Sequence, residues 1–314
     1  MEQKPLVVIV GPTAVGKTGL SIELALRING EIVSADSMQV YKYMDIGTAK
    51  ATPQERKGVK HYLLDEVAPD EEFSVARYKK LADAYIDLII SKDKIPIMVG
   101  GTGLYINTVI DNIQLSETIC DWEYRDELKK LAEEKGNEYV HDLLKQVDPE
   151  SARRLHVNDL RRVIRALEVY KYTGVPISKH QELSRSQPSP YKLAMIGLTM
   201  DRKWLYERIN KRVDQMMEQG LLEEVRKLLD MGYSRDLVSM KGLGYKEMIE
   251  YIYGETSLEE AVEILKRNTR RYAKRQLTWF RKDKRIYWIE IQKSDSQEEL
   301  MEKCLKYIEK NGIV

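Results

Sequence analysis

Residues Gly11 to Thr18, GPTAVGKT, have the spacing GxxxxGK followed by Ser or Thr. Glycines let successive backbone N–H groups curl around an anion at a helix N-terminus, Lys17 supplies a point charge, and the Thr18 hydroxyl can ligate Mg²⁺. The apolar run Leu6 to Val10 precedes this loop and a helical pattern opens at Gly19, so it lies between a strand and a helix. An ordinary glycine-rich turn does not require those neighbours. The sequence predicts a diphosphate or triphosphate held by Gly11, Pro12, Thr13, Ala14, Val15, Gly16, Lys17 and Thr18, with Thr18 as the metal ligand.

Asp36, in SADSMQVY, follows a second strand-like run at the edge where open α/β sheets bind ligands. A carboxylate there can accept a proton from a nucleophile aimed at the substituent of the bound phosphates. It can equally be an N-cap or Asx-turn residue. Gln39 could read a base edge with its amide, or lie solvated on the surface. A motor or switch NTPase also needs a carboxylate at the end of a buried strand to hold the Mg²⁺ shell. Here the strand IPIMV runs into GGTG, Gly100 to Gly103, with no acid. Its glycines, backbone N–H groups and Thr102 hydroxyl suit a second anion or a substrate instead.

Residues 266 to 285 hold ten Lys or Arg and one Asp, a local charge of +9 in a chain whose net charge is +1. On a helix Arg267, Arg270, Arg271, Lys274 and Arg275 share one face, and Leu265, Tyr272, Ala273, Leu277 and Phe280 the other. One face packs and the other attracts a phosphate backbone. Arg153, Arg154, Arg161, Arg162 and Arg165 form a second cluster, and two separated clusters fit an extended RNA better than a small metabolite. His61, His141, His156 and His180 lack metal-site spacing, so structural or surface roles are expected. Trp279 and Tyr272 could stack bases, although their phasing points to packing.

These groups need a scaffold. Apolar, β-branched runs at 6–10, 31–35, 61–67, 95–99, 192–198 and 285–291 read as strands, several buried on both faces of a parallel sheet. Helical patterns separate the first four, which makes repeated βα units. The charged stretch 115–188 has helical phasing and no convincing strand. The predicted fold is therefore α/β, a core of 1–114 and 189–314 with a parallel sheet flanked by helices, interrupted by an all-helical insertion at 115–188 with hinges near 112–120 and 184–192. Further helices are expected at 202–219, 221–231, 257–280 and 297–311, the last opened by a Ser296–Glu299 capping box with Cys304 facing the core.

The composition, 314 residues with 43% hydrophobic and 32% charged, excludes wholesale disorder and fibres. Two distant cysteines, Cys120 and Cys304, offer neither a disulfide framework nor a thiolate metal site. No run reaches the roughly 20 apolar residues of a membrane span, and the first apolar run is shorter than a signal peptide's. A cytoplasmic protein is expected.

The segments GPTAVGKT, SADSMQVYKYMDIGTAK, GGTGLY, DPESARRLHVNDLRRVIRALEVYKYTG, GLLEEVRKLL, GLGYKE and RYAKRQLTWFR, in this order, closely resemble the bacterial tRNA dimethylallyltransferase family from about residue 5 to 290. The resemblance implies a P-loop-kinase-like core and transfer of a dimethylallyl group from dimethylallyl diphosphate to N6 of the adenosine 3′-adjacent to the anticodon. It makes Asp36 the acceptor of a hydrogen bond or proton from N6, and Thr102 a contact bridging the reacting groups. It places Arg212 on the diphosphate, with Mg²⁺ as cofactor. The tRNA anticodon stem-loop would meet Asp36, Ser37, Met38, Gln39, Thr102, Arg125, Arg161, Arg162, Arg165, Arg271, Lys274 and Arg275, on a monomer. Leu160–Arg161 and Lys241–Gly242 stand where the family often carries Pro–Gln and Gln with a small residue.

Two alternatives follow from the residues alone. An ATP-dependent small-molecule kinase would use the same loop and acid, but has little need of the two basic clusters. A nucleotide-regulated RNA binder would have no turnover for an Asp36 substitution to remove.

Overall fold

The computed structural model describes residues 3–113, 121–185 and 189–314. Contacts divide the chain into two compact units, Met1–Ile106 with Tyr191–Val314, and Asn107–Pro190. The hinges expected near 112–120 and 184–192 run through 114–120 and 186–188, and these, like Cys120, lie outside the described residues. Among the described residues no helix is long and apolar enough to cross a membrane.

The core unit is a six-stranded parallel sheet, β1 (Lys4–Val10), β2 (Gly30–Ala35), β3 (His61–Tyr62), β4 (Ile95–Gly100), β5 (Tyr191–Met200) and β6 (Ile286–Ile291), in the order β3-β2-β4-β1-β5-β6. Continuous apolar runs make the inner strands because both faces are covered: Leu6 to Val10 are all fully buried. Of the run expected at 61–67, only His61 and Tyr62 pair with β2, and Val67 makes an isolated bridge to Tyr41. Leu63 and Asp65 adopt φ of 61° and 58°, a left-handed backbone that a strand cannot continue.

Register sets the site. Val10 pairs with Gly100 and Gly197, and Ala35 with Gly100, so the strands β1, β2 and β4 end level at one edge of the sheet, while β5 runs on past Gly197 to Met200. Helices α1 (Lys17–Arg27), α2 (Val75–Ile90) and α3 (Gly103–Ile110) follow the first strands. Later the core adds α9 (Arg202–Glu218), α10 (Leu221–Asp230), α11 (Tyr245–Ile252), α12 (Leu258–Phe280) and α13 (Gln297–Lys310). The Ser296–Glu299 capping box opens α13, and Cys304 is buried where burial pushes its thiol up to about 12.

The second unit is helical: α4 (Trp122–Lys135), α5 (Asn137–Val147), α6 (Pro149–Arg154), α7 (Leu160–Thr173) and α8 (Ile177–Arg185). Its core gathers Leu128, Val140, Leu144, Val163 and Leu167. Beside it the fully buried Glu168 carboxylate accepts a fork from Arg125, at 2.8 Å to each oxygen, a third hydrogen bond from the Asp121 N–H, and one from Arg165. Burial pushes this carboxyl up, but the two guanidiniums and the N–H outweigh it and hold it below the usual range. Removing a buried partner strands the charges left behind. Glu168→Leu is therefore expected to cost about 3 kcal/mol. Amide hydrogen exchange should show it as faster opening of residues 122–173, with the sheet unchanged.

Candidate active site

Three loops leave the level strand ends. After β1 the phosphate loop turns through positive φ at Gly11 (145°), Ala14 (64°) and Gly16 (107°), the alternation that folds backbone N–H groups into an anion nest. A side chain at Gly11 would also place its Cβ 2.6 Å from the Leu198 carbonyl oxygen. Lys17 opens α1 and donates to the Gly11 and Pro12 carbonyls at 2.9 and 2.8 Å. Thr18 is exposed on the first turn, and its hydroxyl makes no hydrogen bond among the described residues. Arg212 of α9 donates to the Thr13 hydroxyl at 3.2 Å. One helical turn earlier, Arg208 donates to the Ala14 carbonyl at 2.9 Å. Arg208 was not anticipated, although its i, i+4 spacing from Arg212 was visible in the sequence.

After β2, Asp36 forms the Asx turn and keeps one carboxylate oxygen outside it. Its Oδ1 accepts from the Met38 N–H at 2.9 Å, an Asx turn, while Oδ2 makes no hydrogen bond among the described residues. After β4, Thr102 brackets Asp36: its N–H donates to the Ala35 carbonyl at 3.0 Å, and its hydroxyl accepts from the Ser37 N–H at 3.0 Å. The expectation that Gly100 to Gly103 offer N–H groups to a second anion or a substrate is narrowed at one position. The Thr102 N–H is used, and a Cβ at Gly101 or Gly103 would lie 2.0 Å from the Gln276 amide or 2.2 Å from the Trp279 ring. The glycines admit α12.

Electrostatics tie the loops together. Desolvation pulls the Lys17 ammonium down to about 7, aided by Arg212 and opposed by Asp36. Arg212 is likewise lowered by burial and supported by Asp36. Burial and the Asp36 carboxylate push the Tyr272 phenol up, while its contacts with Thr102 and Gln276 pull the other way. One acid therefore lies in the field of two desolvated cations, an arrangement that favours an incoming anion on the cation side.

The segment after Asp36 is held from outside. Glu224 of α10 accepts from the N–H groups of Asp45, Ile46 and Gly47 at 2.8 to 3.1 Å, and from the Tyr245 hydroxyl at 2.6 Å. Buried Lys50 binds the Tyr41 carbonyl, Asp45 and Asp65. The Gln39 amide is spent inside the segment, accepting from the Ser34 hydroxyl at 3.0 Å and donating to the Thr48 carbonyl at 3.2 Å. Met38 reaches Gly242, where a Cβ would meet its methyl at 2.5 Å.

On α12, Arg267, Arg271, Lys274 and Arg275 are exposed, while Leu265, Ala273, Gln276 and Phe280 are buried. Arg270 donates to Asn210 at 2.6 Å. In the helical unit Arg153, Arg154, Arg161 and Arg162 are exposed, whereas Arg125 and Arg165 grip Glu168. His61 and His141 bond to backbone carbonyls, as structural histidines do. Among the described residues no group of three His, Cys, Asp or Glu could hold a metal.

An anion loop after β1, an acid after β2 and no carboxylate after β4 define a P-loop-kinase-like group-transfer enzyme. The IPP transferase family matches residues 39–283. A tRNA dimethylallyltransferase of Acetivibrio thermocellus is 60% identical over 308 residues, 98% of each chain. The crystal structure of the full-length tRNA isopentenylpyrophosphate transferase of Bacillus halodurans is similar with TM-score 0.73 and 48% identity, covering 99% of this chain and 98% of that one. A eukaryotic dimethylallyltransferase crystallised acting on tRNA gives TM-score 0.83 at 29% identity, covering 98% and 80%. The chain belongs to the tRNA dimethylallyltransferase, or IPP transferase, family.

Proposed function

We propose that dimethylallyl diphosphate lies with its diphosphate in the Gly11–Thr18 loop, beneath Lys17 and Arg212, and that the adenosine enters at Asp36 and Thr102. The protein is a tRNA dimethylallyltransferase acting on the adenosine 3′-adjacent to the anticodon. The observation that carries the site assignment is the Asp36 carboxylate, with one oxygen unspent, in the field of the two desolvated cations.

The chemistry follows from that arrangement. The donor's C1–O bond breaks and the diphosphate leaves with the electron pair, its charge met by Lys17, Arg212 and the loop N–H groups. The N6–C1 bond forms, and N6 gives its proton to the open oxygen of Asp36. Mg²⁺ fits the exposed Thr18 hydroxyl, since this ion takes few protein ligands and shares phosphate oxygens. Bound there, it would neutralise leaving-group charge.

RNA is assigned to the exposed face of Arg271, Lys274 and Arg275, to the Asp36–Gln39 segment, and to Arg161 and Arg162. Arg125 and Arg165 would support that surface through Glu168. One chain supplies every group the reaction uses, which suits a monomer, and a tRNA substrate suits the cytoplasm. The test is transfer of label from dimethylallyl diphosphate to an anticodon stem-loop with Mg²⁺ and without ATP. Changing Arg271, Lys274 and Arg275 together to Ser should weaken stem-loop binding at least about tenfold and reduce its salt slope by roughly two. An unchanged slope would remove RNA from that face.

A further inference from the structure

Gln276 lies on the buried side of the basic helix and is only 5% exposed. Its Oε1 accepts the Thr13 N–H of the phosphate loop at 2.9 Å, and its Nε2 donates to the Gly101 carbonyl at 3.0 Å. The two partners belong to different strand ends. Thr13 is also held by Arg212, and Gly101 is the residue before Thr102. One amide therefore spans the loop assigned to the donor and the loop assigned to the acceptor. The reciprocal fit is tight, because the Gln276 Nε2 lies where a Cβ at residue 101 would stand, 2.0 Å away. Tyr272, one turn earlier, reaches Thr102 and Gln276 as well. The exposed cations Lys274 and Arg275 directly precede Gln276 in the chain.

We propose that Gln276 is a positioning residue that fixes the separation of the donor and acceptor halves of the site. The proposal rests on the placement of the diphosphate on the Gly11–Thr18 loop and of the adenosine at Asp36 and Thr102. A neutral amide accepts on one side and donates on the other without a charge, at every pH in the working range. Group transfer depends steeply on such spacing, since a displacement of about 1 Å can cost about 10²-fold in rate.

The experiment measures single-turnover transfer by the full-length protein, with labelled dimethylallyl diphosphate and a saturating anticodon stem-loop, beside donor and stem-loop affinities and the folded fraction. Gln276→Leu should lower the rate per folded molecule about 10²-fold while both affinities stay within about threefold. Gln276→Glu guards against misfolding and supplies a pH signature. Protonated, it reproduces both hydrogen bonds; ionised, it turns a second acceptor on the Gly101 carbonyl. Its rate relative to wild type should therefore fall as pH rises from about 6 to about 8.5. A Gln276→Leu rate within about threefold of wild type would overturn the proposal. So would a deficit that vanishes on correction for folded protein, or a Gln276→Glu ratio that does not fall with pH. Asp36→Ala, run in parallel, separates the two claims. If it transfers at the wild-type rate, the site placement fails and the proposal with it; if it alone loses transfer, only the proposal fails.

Discussion

Replacing Asp36 by Ala or Asn is expected to lower the single-turnover transfer rate about 10³-fold, the scale of a general base acting on a weak nucleophile. Anticodon stem-loop affinity should change less than about threefold, because phosphate contacts on the basic faces dominate RNA binding. The two variants divide the roles of the carboxylate. Asn keeps an oxygen for the Met38 N–H and so preserves the Asx turn, but removes the charge and the open acceptor. Ala loses the turn as well and leaves the Met38 N–H unpaired, at a cost to stability of about 1 kcal/mol. If Asn transfers within about tenfold of wild type, the carboxylate is a turn former and the proton goes elsewhere.

The arrangement around Asp36 shows what was legible in the sequence. The phosphate loop could be read because every group it uses is local: strand, loop and helix are contiguous, and the glycines sit where the backbone needs positive φ. The level strand ends were implied by the continuous apolar runs, whose parallel pairing brings Val10, Ala35 and Gly100 to one edge. Asp36 could be nominated but not decided, since an Asx turn and an acceptor require the same residue; one oxygen forms the turn, and the other makes no hydrogen bond among the described residues.

What was missed depends on distance along the chain. Gln276 meets its partners across 263 and 175 positions, and Glu224 meets its segment across 177 to 179, which no local period can encode. For the same reason the reading of GGTG as an anion or substrate contact did not reveal that Gly101 and Gly103 admit Gln276 and Trp279. Arg125, expected to meet RNA, also donates a fork to Glu168 from 43 residues away, a pairing that no local period encodes. The one misjudged strand, at 61–67, was ended by left-handed residues within an apolar run.

Lys17 gives the site a pH dependence whose sign follows from its surroundings. In the free protein its ammonium is pulled down to about 7 by desolvation and by Arg212, so near neutral pH it is only partly charged. A bound diphosphate stabilises the charged form and moves the pKa back up. The complex therefore holds more protons than the separated partners, and binding takes up a proton and weakens as pH rises. Above the donor's own last ionisation, near about 6, the loss approaches tenfold per pH unit, and between about pH 7 and about 9 it should reach roughly 10- to 50-fold. Calorimetric titration of dimethylallyl diphosphate in buffers of different ionisation enthalpy would read the proton directly. Lys17→Met should weaken donor binding about 10²-fold at pH 7 and flatten the profile, because no remaining cation at the loop titrates in that range. Wild-type affinity that is constant from about pH 7 to about 9 would mean that Lys17 stays fully charged in the free protein, and that Asp36 offsets its desolvation more strongly than burial opposes it.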